Sequence, residues 1–473
     1  MGLNVLTSRK RTFRMGLRSG VSALAVLAAI GLSVPVAQAE TLAEALSLTY
    51  ETNPDIAAAR ASLRGTDESV PQALSNWRPE VSVTGSYGIR QRDREFDSNA
   101  PDIKNTDQPQ TVSLSITQNL FRGFRTIAET DQARNQVAAG RADLITREQD
   151  VLLQAVTAFM NVKRDRAILE LRQNNVRVLQ QQQSATRDRF EVGELTRTDT
   201  AQADSRLATA IADETTARGN LDTSIADYVE VVGRVPGVLE APEVPGGLPA
   251  TEDEAIELAR TNNPSVVSSD FTERAARDSI DLTAGELLPA LSINGEAEEN
   301  KDILGSDTHT SERSVTLNLS VPLYQSGEVY SRIREAKHLA NQRLLEFSEE
   351  ARQAQEQARS SWAALQSARA RITSLQASVD AQQIAFEGVR QEAQVGSRTV
   401  LDVLDAEQEL LNARVSLVQA QRDLIVTSYQ LLSATGRLTA LDLGLSVDLY
   451  DPTRNFDEVE DQLFGGGILY DRK

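Results

Sequence analysis

The sequence contains an internal repeat: its two halves carry matching residues at a nearly constant spacing. Residues 41–79 match residues 251–289 at an offset of 210, and beyond Leu120 the offset becomes 203. The matched sites include Asn53-Pro54 with Asn263-Pro264, Val192-Gly193 with Val395-Gly396, and Gly233-Arg234 with Gly436-Arg437. A twofold repeat with one difference in loop length predicts two copies of one structural unit.

The first 39 residues are predicted to be a signal peptide. A basic start precedes an apolar stretch at 21–34, and Ala37-Gln38-Ala39 fits a cleavage site. The alternative, an uncleaved anchor, is disfavoured because the apolar stretch is too short for the ~30 Å hydrocarbon core. Loss of five basic residues would shift the formal net charge from −19 to −24.

Composition narrows the function classes. A strongly acidic chain lacks the basic face that nucleic-acid binding requires, but it is compatible with a cation-preferring surface or pore. The chain contains no cysteine, so it has neither disulfides nor an N-terminal lipid-carrying cysteine. Few aromatic residues and many Ala, Gln, Glu, Arg and Leu are typical of long helices.

Helix signals recur in both copies. Each repeat opens with a predicted capping box, at Thr41/Glu44 and at Thr251/Glu254. We divide the chain into a signal peptide (1–39), repeat 1 (40–250), repeat 2 (251–436) and a C-terminal tail (437–473). Repeat 1 is predicted to contain a helix interrupted at Asn53-Pro54, a β-hairpin at 80–120, a long helix at 124–191 and a helix at 196–232. Repeat 2 is predicted to contain an opening helix, a β-hairpin at 290–323, a long helix at 328–394 and a helix at 399–434.

Four segments alternate apolar and polar residues with a period of two, which predicts strands of about ten residues with one apolar face. Polar loops are expected at 93–109 and 300–311. The strands end in two similar corners, NLFRGF at 119–124 and PLYQSG at 322–327. Phe121 and Tyr324 in these corners are predicted to lie at a membrane interface.

Four amphipathic strands cannot close a barrel, and an open sheet edge cannot lie in lipid. Eight strands from two chains would form a barrel filled by side chains, whereas twelve strands from three chains would open a lumen. We therefore expect an α+β membrane protein in which a homotrimer forms a 12-stranded β-barrel above long antiparallel coiled-coil helices. The alternative is a soluble helical protein with a small β cap.

These features together resemble the TolC family of outer-membrane channels. The resemblance rests on the T-x-x-E-A openings with their N-P pairs, the two corners, and the strings VGELTRTD and VGSRTVLDVLDAEQELLNAR. It implies an outer-membrane barrel, an α-helical periplasmic tunnel, and a belt from about 234–250 and 437–473. It also implies a passive exit duct of a tripartite efflux pump or type I secretion system. Its partners would be a periplasmic adaptor, an inner-membrane efflux or ABC transporter, and outer-membrane lipid.

The resemblance assigns roles to the two glycine turns. It implies adaptor docking at six residues: Val192, Gly193, Thr196, Val395, Gly396 and Thr399. The alternative is a helix–helix turn without a partner, but such a turn requires only the glycine.

Charged residues near the second turn are candidates for the channel entrance and its gate. Asp402 and Asp405 are three residues apart on a predicted helix, so three chains would form two rings of carboxylates. The alternative for both is an ordinary solvated helix face. For the gate, an Arg398–Asp199 contact is the candidate, although Ala393 stands where the family often has a tyrosine.

Two other function classes were considered. No motif for a catalytic nucleophile, zinc protease or phosphate-binding loop is present, so an enzyme, a metal site and a cofactor are not expected. The two histidines are far apart: His309 lies in a predicted loop and His338 on a long helix. A periplasmic adaptor-like coiled-coil protein is the closer alternative.

Overall fold

The computed structural model describes residues 39–94, 103–303 and 307–466. Residues 1–38 of the predicted signal peptide lie outside the described residues. Repeat 1 contains α1 (Leu42–Thr52), α2 (Pro54–Asp67), α3 (Ser69–Ser75), β1 (Glu80–Tyr87), β2 (Arg90–Arg94), β3 (Ile103–Asp107), β4 (Gln110–Arg122), α4 (Arg125–Glu191) and α5 (Arg197–Val232). Repeat 2 and the tail contain α6 (Glu252–Asn262), α7 (Pro264–Ala284), β5 (Ala290–Lys301), β6 (His309–Ser320), α8 (Glu328–Gln394), α9 (Val400–Ala434) and α10 (Arg454–Val459).

The opening helices start at threonine caps in both repeats, but only the first forms a complete capping box. The amide of Thr41 donates to the Glu44 carboxylate (3.1 Å), and the amide of Glu44 donates to the Thr41 hydroxyl (3.2 Å). In repeat 2 the Thr251 hydroxyl caps the helix, while the Glu254 carboxylate accepts from the amide of Ala250 instead. The reciprocal bond predicted for Thr251/Glu254 is therefore replaced by a bond to the preceding residue.

The Asn-Pro pairs join two helices to the end of a third. Asn53 and Asn263 cap the helices that begin at the following prolines. Their side-chain amides also donate to carbonyls in the last turns of α5 and α9, at Val231 (3.0 Å) and Ala434 (3.1 Å). The matched sequence pairs thus fix the same three-helix junction in each repeat.

The two long helices carry the architecture. Helices α4 and α8 each contain 67 residues, about 100 Å at 1.5 Å per residue. Helix α4 packs along α5, and α8 packs along α9, while α7 lies between α4 and α8. The largest apolar core forms where α1, α4, α5 and α9 meet, around Phe159, Tyr228 and Leu432. Among the described residues, no helix combines the length and apolarity needed to cross a bilayer.

The four main strands form one antiparallel sheet in the order β1-β4-β5-β6, so β1 and β6 are its edges. The register places Val83 opposite Leu114 and Ile293 opposite Leu317 on one face. The other face carries small polar pairs, such as Ser82 with Ser115 (Oγ–Oγ 2.7 Å). This sheet has the apolar and polar faces that the alternation predicts.

The loop prediction was partly wrong. The described part of 93–109 contains the end of β2 and all of β3, which pair with each other; apart from Ile103 their residues are polar, so they show no alternation. In repeat 2, β5 extends to Lys301 and β6 begins at His309. His309 therefore lies on a strand, where its imidazole is 3.1 Å from the Glu299 carboxylate.

The two corners connect the sheet to the long helices through left-handed residues. In the first corner, Gly123 (φ +63°) and Phe124 (φ +62°) make the turn, and in the second, Ser326 (φ +53°) and Gly327 (φ +80°) do. A Cβ on Gly123 would lie 2.3 Å from the Gly285 carbonyl oxygen. The first corner is thus locked against the end of α7.

Candidate docking tips and entrance

The first tip (residues 189–196) is a glycine-centred turn between α4 and α5. Gly193 has φ +83°, and its amide donates to the Phe190 carbonyl (2.9 Å). The Arg189 guanidinium spans the turn to the Glu194 carboxylate (3.0 Å). Left-handed glycine after a helix ends it without steric strain, which explains the sequence break.

The second tip (residues 392–399) repeats this backbone with the ion pair reversed. Gly396 has φ +82°, and its amide donates to the Ala393 carbonyl (3.2 Å). Here the acid, Glu392, precedes the turn, and the base, Arg398, follows it, with 2.9 Å between carboxylate and guanidinium. The two tips therefore share a shape but present opposite charge arrangements.

The predicted docking residues divide into two groups. Val192 and Val395 are 72% and 81% exposed, so both valines project from the tips into solvent. Thr196 and Thr399 instead cap α5 and α9. Each threonine hydroxyl accepts from the amide three residues later, at Asp199 (3.3 Å) and Asp402 (3.2 Å). Helix capping alone thus explains why threonine recurs at this spacing.

Asp199 and Asp402 complete these capping boxes. Each carboxylate accepts from the backbone amide (2.9 Å) and the hydroxyl (2.8 Å) of its threonine. These bonds, the backbone bond first, lower the pKa of both aspartates below the ordinary value. The T-x-x-D motif at each tip is the sequence signal that predicts this capping role.

The predicted Arg398–Asp199 contact is not formed among the described residues of one chain. Arg398 pairs with Glu392 of its own tip, and the Asp199 carboxylate is bound by Thr196. Local partners only a few residues away hold each of these two side chains.

Asp405 has a partner that the sequence analysis missed. Its carboxylate is 2.6 Å from the Arg206 guanidinium, which links α9 of repeat 2 to α5 of repeat 1. Both side chains are about half exposed. Arg206 and Asp405 are 199 positions apart in the sequence. Their contact can be predicted only once it is known that α5 and α9 lie side by side near the tips. Asp405 therefore does not present a free charge within the subunit.

An apolar cluster supports the same helix contact. Leu207 of α5 and Leu404 of α9 are buried together with Val176, Leu179 and Ala210. Glu407, one turn along α9, is partly buried, and burial raises its pKa to about 7, while Arg390 acts in the opposite direction. The end of α9 near the second tip thus combines an apolar contact, an ion pair and a carboxyl group whose pKa is raised to about 7.

One apolar side chain at the first tip was also missed. Phe190 is 42% exposed and occupies the position that Ala393 has in the second tip. The repeat offset of 203 relates Ala393 to Phe190, and this offset is the sequence signal that identifies the aromatic residue. The structure places the single aromatic ring of this pair on the first tip.

The corner aromatics differ in exposure. Phe121 packs edge-to-face on Phe124 with 5.0 Å between ring centroids, and Phe124 is the more exposed of the two. Tyr324 of the second corner is 80% exposed. Within the described ranges, no group of His, Cys, Asp or Glu could hold a metal ion.

Comparisons with known proteins agree with this geometry. A family model described as outer membrane efflux protein matches residues 45–234 and 255–437. The chain is 35% identical over 446 residues to the outer membrane efflux protein BepC of Brucella suis biovar 1 (strain 1330), covering 94% of this chain and 96% of BepC. It is 26% identical over 437 residues to the outer membrane protein TolC of Escherichia coli (strain K12), covering 88% and 86%. Its fold is similar to the crystal structure of the Campylobacter jejuni CmeC outer membrane channel, with a TM-score of 0.76, 16% identity and 89% coverage of each chain. These matches favour a channel over the adaptor-like alternative, and the chain belongs to the TolC-like outer membrane efflux protein family.

Proposed function

We propose that three copies of this chain form a 12-stranded barrel in the outer membrane, continuous with an α-helical tunnel in the periplasm. The assembly is the exit duct of a tripartite efflux pump or type I secretion system. It conducts substrates passively and uses no cofactor.

The unpaired sheet edges carry this proposal. Within the described residues, β1 and β6 each pair on one side only, so each leaves a row of backbone N–H and C=O groups unpaired. Such groups are costly in hydrocarbon. Pairing β6 of one subunit with β1 of the next would satisfy both rows and close the sheet.

The two faces of the sheet suit lipid and water. The exposed apolar face includes Val83, Leu114 and Leu317. The opposite face carries serine, threonine and asparagine together with Glu296, Glu298 and Glu312. A barrel with the apolar face outward has a wet, acidic lumen, which favours cations over anions.

The tips are proposed as the surface that meets the periplasmic adaptor. Val192 and Val395 are exposed beside left-handed glycines, in two turns of the same shape. Three subunits would present six such turns in a ring. An inner-membrane efflux or ABC transporter would connect through the adaptor or touch the tips.

The entrance is proposed to lie at the tip ends of α5 and α9. Asp402 and Asp405 would form the entrance carboxylates, with Asp402 held by its cap and Asp405 by Arg206. We propose the Arg206–Asp405 pair as a contact that keeps these helices together when the duct is closed. Arg398 contributes by fixing the second tip through Glu392.

Reconstitution of mature protein into planar bilayers tests this function. We expect a detergent-solubilised species of three subunits by mass and discrete cation-preferring conductance steps. A monomer that remains in solution without detergent and gives no conductance would contradict the proposal.

A further inference from the structure

Two strongly exposed apolar side chains lie near the C-terminal end of the described residues. Leu463 is 63% exposed and Phe464 is 90% exposed. They follow α10, in a tail segment to which the sequence analysis assigned only a place in the belt. Exposed apolar patches mark interaction sites when they are contiguous with further apolar surface, so the surroundings of these two side chains decide their role.

Contacts upstream place this segment at the side of the subunit below the sheet. The Asn455 side-chain amide donates to the Asp67 carboxylate (2.8 Å), and Phe456 packs against the buried cluster of Val70, Ala73, Ala133 and Val137. Further along, Glu460 pairs with Arg134 of α4 at 3.0 Å. Asp67, Val70 and Ala73 follow one another along the chain toward β1, which begins at Glu80, so these contacts place the tail close to the sheet.

A final bond fixes the tail at the base of β1. The Arg78 guanidinium donates to the Gln462 carbonyl (3.0 Å), and Arg78 lies two residues before β1 begins at Glu80. The Gln462 side chain in turn donates to the Phe464 carbonyl (3.2 Å). Leu463 and Phe464 therefore lie at the level where the strands end.

We propose that Leu463 and Phe464 insert into the periplasmic leaflet of the outer membrane as an interfacial anchor. The proposal rests on the proposed barrel, since it places the base of β1 at the membrane surface. Trp77, beside Arg78, and Phe124, at the first corner, are exposed at the same strand ends. Aromatic rings at this depth are favourable because one side meets acyl chains and the other meets headgroups.

A lipid surface fits this patch better than a protein partner. A stable protein interface requires about 800 Å² from each partner, which two adjacent side chains do not supply. Insertion into an interface requires no such area, because each buried apolar group contributes independently. The anchor would hold α10 and the belt segment against the membrane and so fix the depth of the barrel.

Tryptophan quenching by brominated phospholipid tests the proposal in the full-length trimer. The two native tryptophans are replaced by Trp77→Phe and Trp362→Phe, and single probes are added as Phe464→Trp, Val315→Trp or Ile384→Trp. Val315 lies on the proposed lipid face of β6, and Ile384 lies far along α8; both are exposed. We expect bromines near the headgroups to quench the probe at 464, and bromines deep in the acyl chains to quench the probe at 315, which lies near the middle of β6. Neither lipid should affect the probe at 384.

The outcomes separate this proposal from the proposed barrel. A quenched probe at 315 with an unquenched probe at 464 overturns the anchor and leaves the barrel intact. If emission at 464 is then blue-shifted, the side chain is covered by protein, such as a neighbouring subunit. An unquenched probe at 315 overturns both.

Discussion

The two repeats make the same turns, but one is packed inside the subunit and the other faces outward. Helix α4 buries twenty-two of its residues, whereas α8, of equal length, buries seven. Helix α4 contacts α1, α2, α3, α5, α7 and α9, while α8 contacts α6, α7 and α9. Exposed Leu339, Leu344 and Leu345 remain on α8. The two repeats thus share the same backbone elements, but the long helix of repeat 2 is much less buried within the subunit. We propose that a neighbouring subunit covers its exposed side.

The largest contrast is expected at the corners. Gly123→Ser copies into the first corner the residue that Ser326 provides in the second, at a similar positive φ. Serine is accommodated at 326, but at 123 its Cβ would meet the Gly285 carbonyl oxygen and the Leu288 side chain. We expect a loss of about 3 kcal/mol in unfolding free energy. Thermal unfolding of the purified protein in detergent measures this loss.

The matched control is Ser326→Gly, which keeps a residue that tolerates the positive φ and should change the unfolding free energy by less than about 1 kcal/mol. Equal effects at 123 and 326 would contradict the view that the first corner is locked by packing.

A buried polar cluster distinguishes the repeats next. The Glu40 carboxylate accepts from the Tyr228 hydroxyl (2.5 Å) and the Arg234 guanidinium (2.6 Å). Burial is the larger cause and the neighbouring Glu40 carboxylate the second cause of a raised pKa of Tyr228. The Tyr228 hydroxyl therefore stays protonated and donates the hydrogen bond. Glu40→Ala leaves both donors without this acceptor and should cost about 2 kcal/mol of unfolding free energy, measured by thermal denaturation.

Repeat 2 supplies the control for this cluster. Its matched residues are Ala250, Leu431 and Arg437, and the Arg437 guanidinium donates to the Gly247 carbonyl (3.1 Å) rather than to a carboxylate. Arg437→Met should therefore cost less than about 0.5 kcal/mol. A cost equal to that of Glu40→Ala would show that the cluster contributes nothing specific.

The contact between the repeats should control conduction. An exposed pair such as Arg206–Asp405 contributes about 0.5 kcal/mol, and three copies would shift the closed-to-open ratio about tenfold. Arg206→Ala should therefore raise open probability in planar bilayers, and Arg398→Ala should raise it less.

Arg187→Ala is the matched control, because it removes a pair of similar exposure with Asp204 inside the α4–α5 hairpin. Unchanged opening in Arg206→Ala, or equal opening in Arg187→Ala, would exclude the Arg206–Asp405 pair from the gate.

The smallest effect concerns pH at the end of α9. Because burial raises the pKa of Glu407 to about 7, the folded state binds its proton more tightly than the unfolded state does. Stability from this group is therefore present at acidic pH and decreases as pH rises toward and through 7, by about 1 kcal/mol between pH 6 and 8. Hydrogen exchange near residue 407 should be faster at pH 8.

Glu407→Gln should remove this pH dependence, whereas Glu409→Gln, at an exposed position on the same helix, should keep it. If hydrogen exchange still depends on pH in Glu407→Gln, the effect belongs to another group.

Local signals account for what the sequence could predict. The Asn-Pro pairs, the Val-Gly pairs and the alternation of strand residues each depend on only a few neighbouring residues. The structure has helix junctions at the Asn-Pro pairs, turns at the Val-Gly pairs and strands where residues alternate. Strands β2 and β3 were missed because nearly all of their residues are polar, which leaves no alternation to detect. Arg206–Asp405 was missed because it depends on how two distant helices lie together, which no local pattern encodes.

Cross-linking between the edge strands tests the central claim most directly. The chain has no native cysteine, so Thr84→Cys on β1 and Thr316→Cys on β6 would be its only thiols. Within one subunit these positions are three strand spacings apart, about 14 Å across the sheet, and four residues out of register, beyond the reach of a shorter bifunctional reagent. We predict covalent dimers and trimers of the double variant and none of either single variant. Because the register between subunits is not fixed, cysteine at Ser314 or Asn318 is tested as an alternative to Thr316 on β6. Monomer alone at every β6 site, in protein reconstituted into membranes, would contradict a barrel closed by β6-to-β1 pairing.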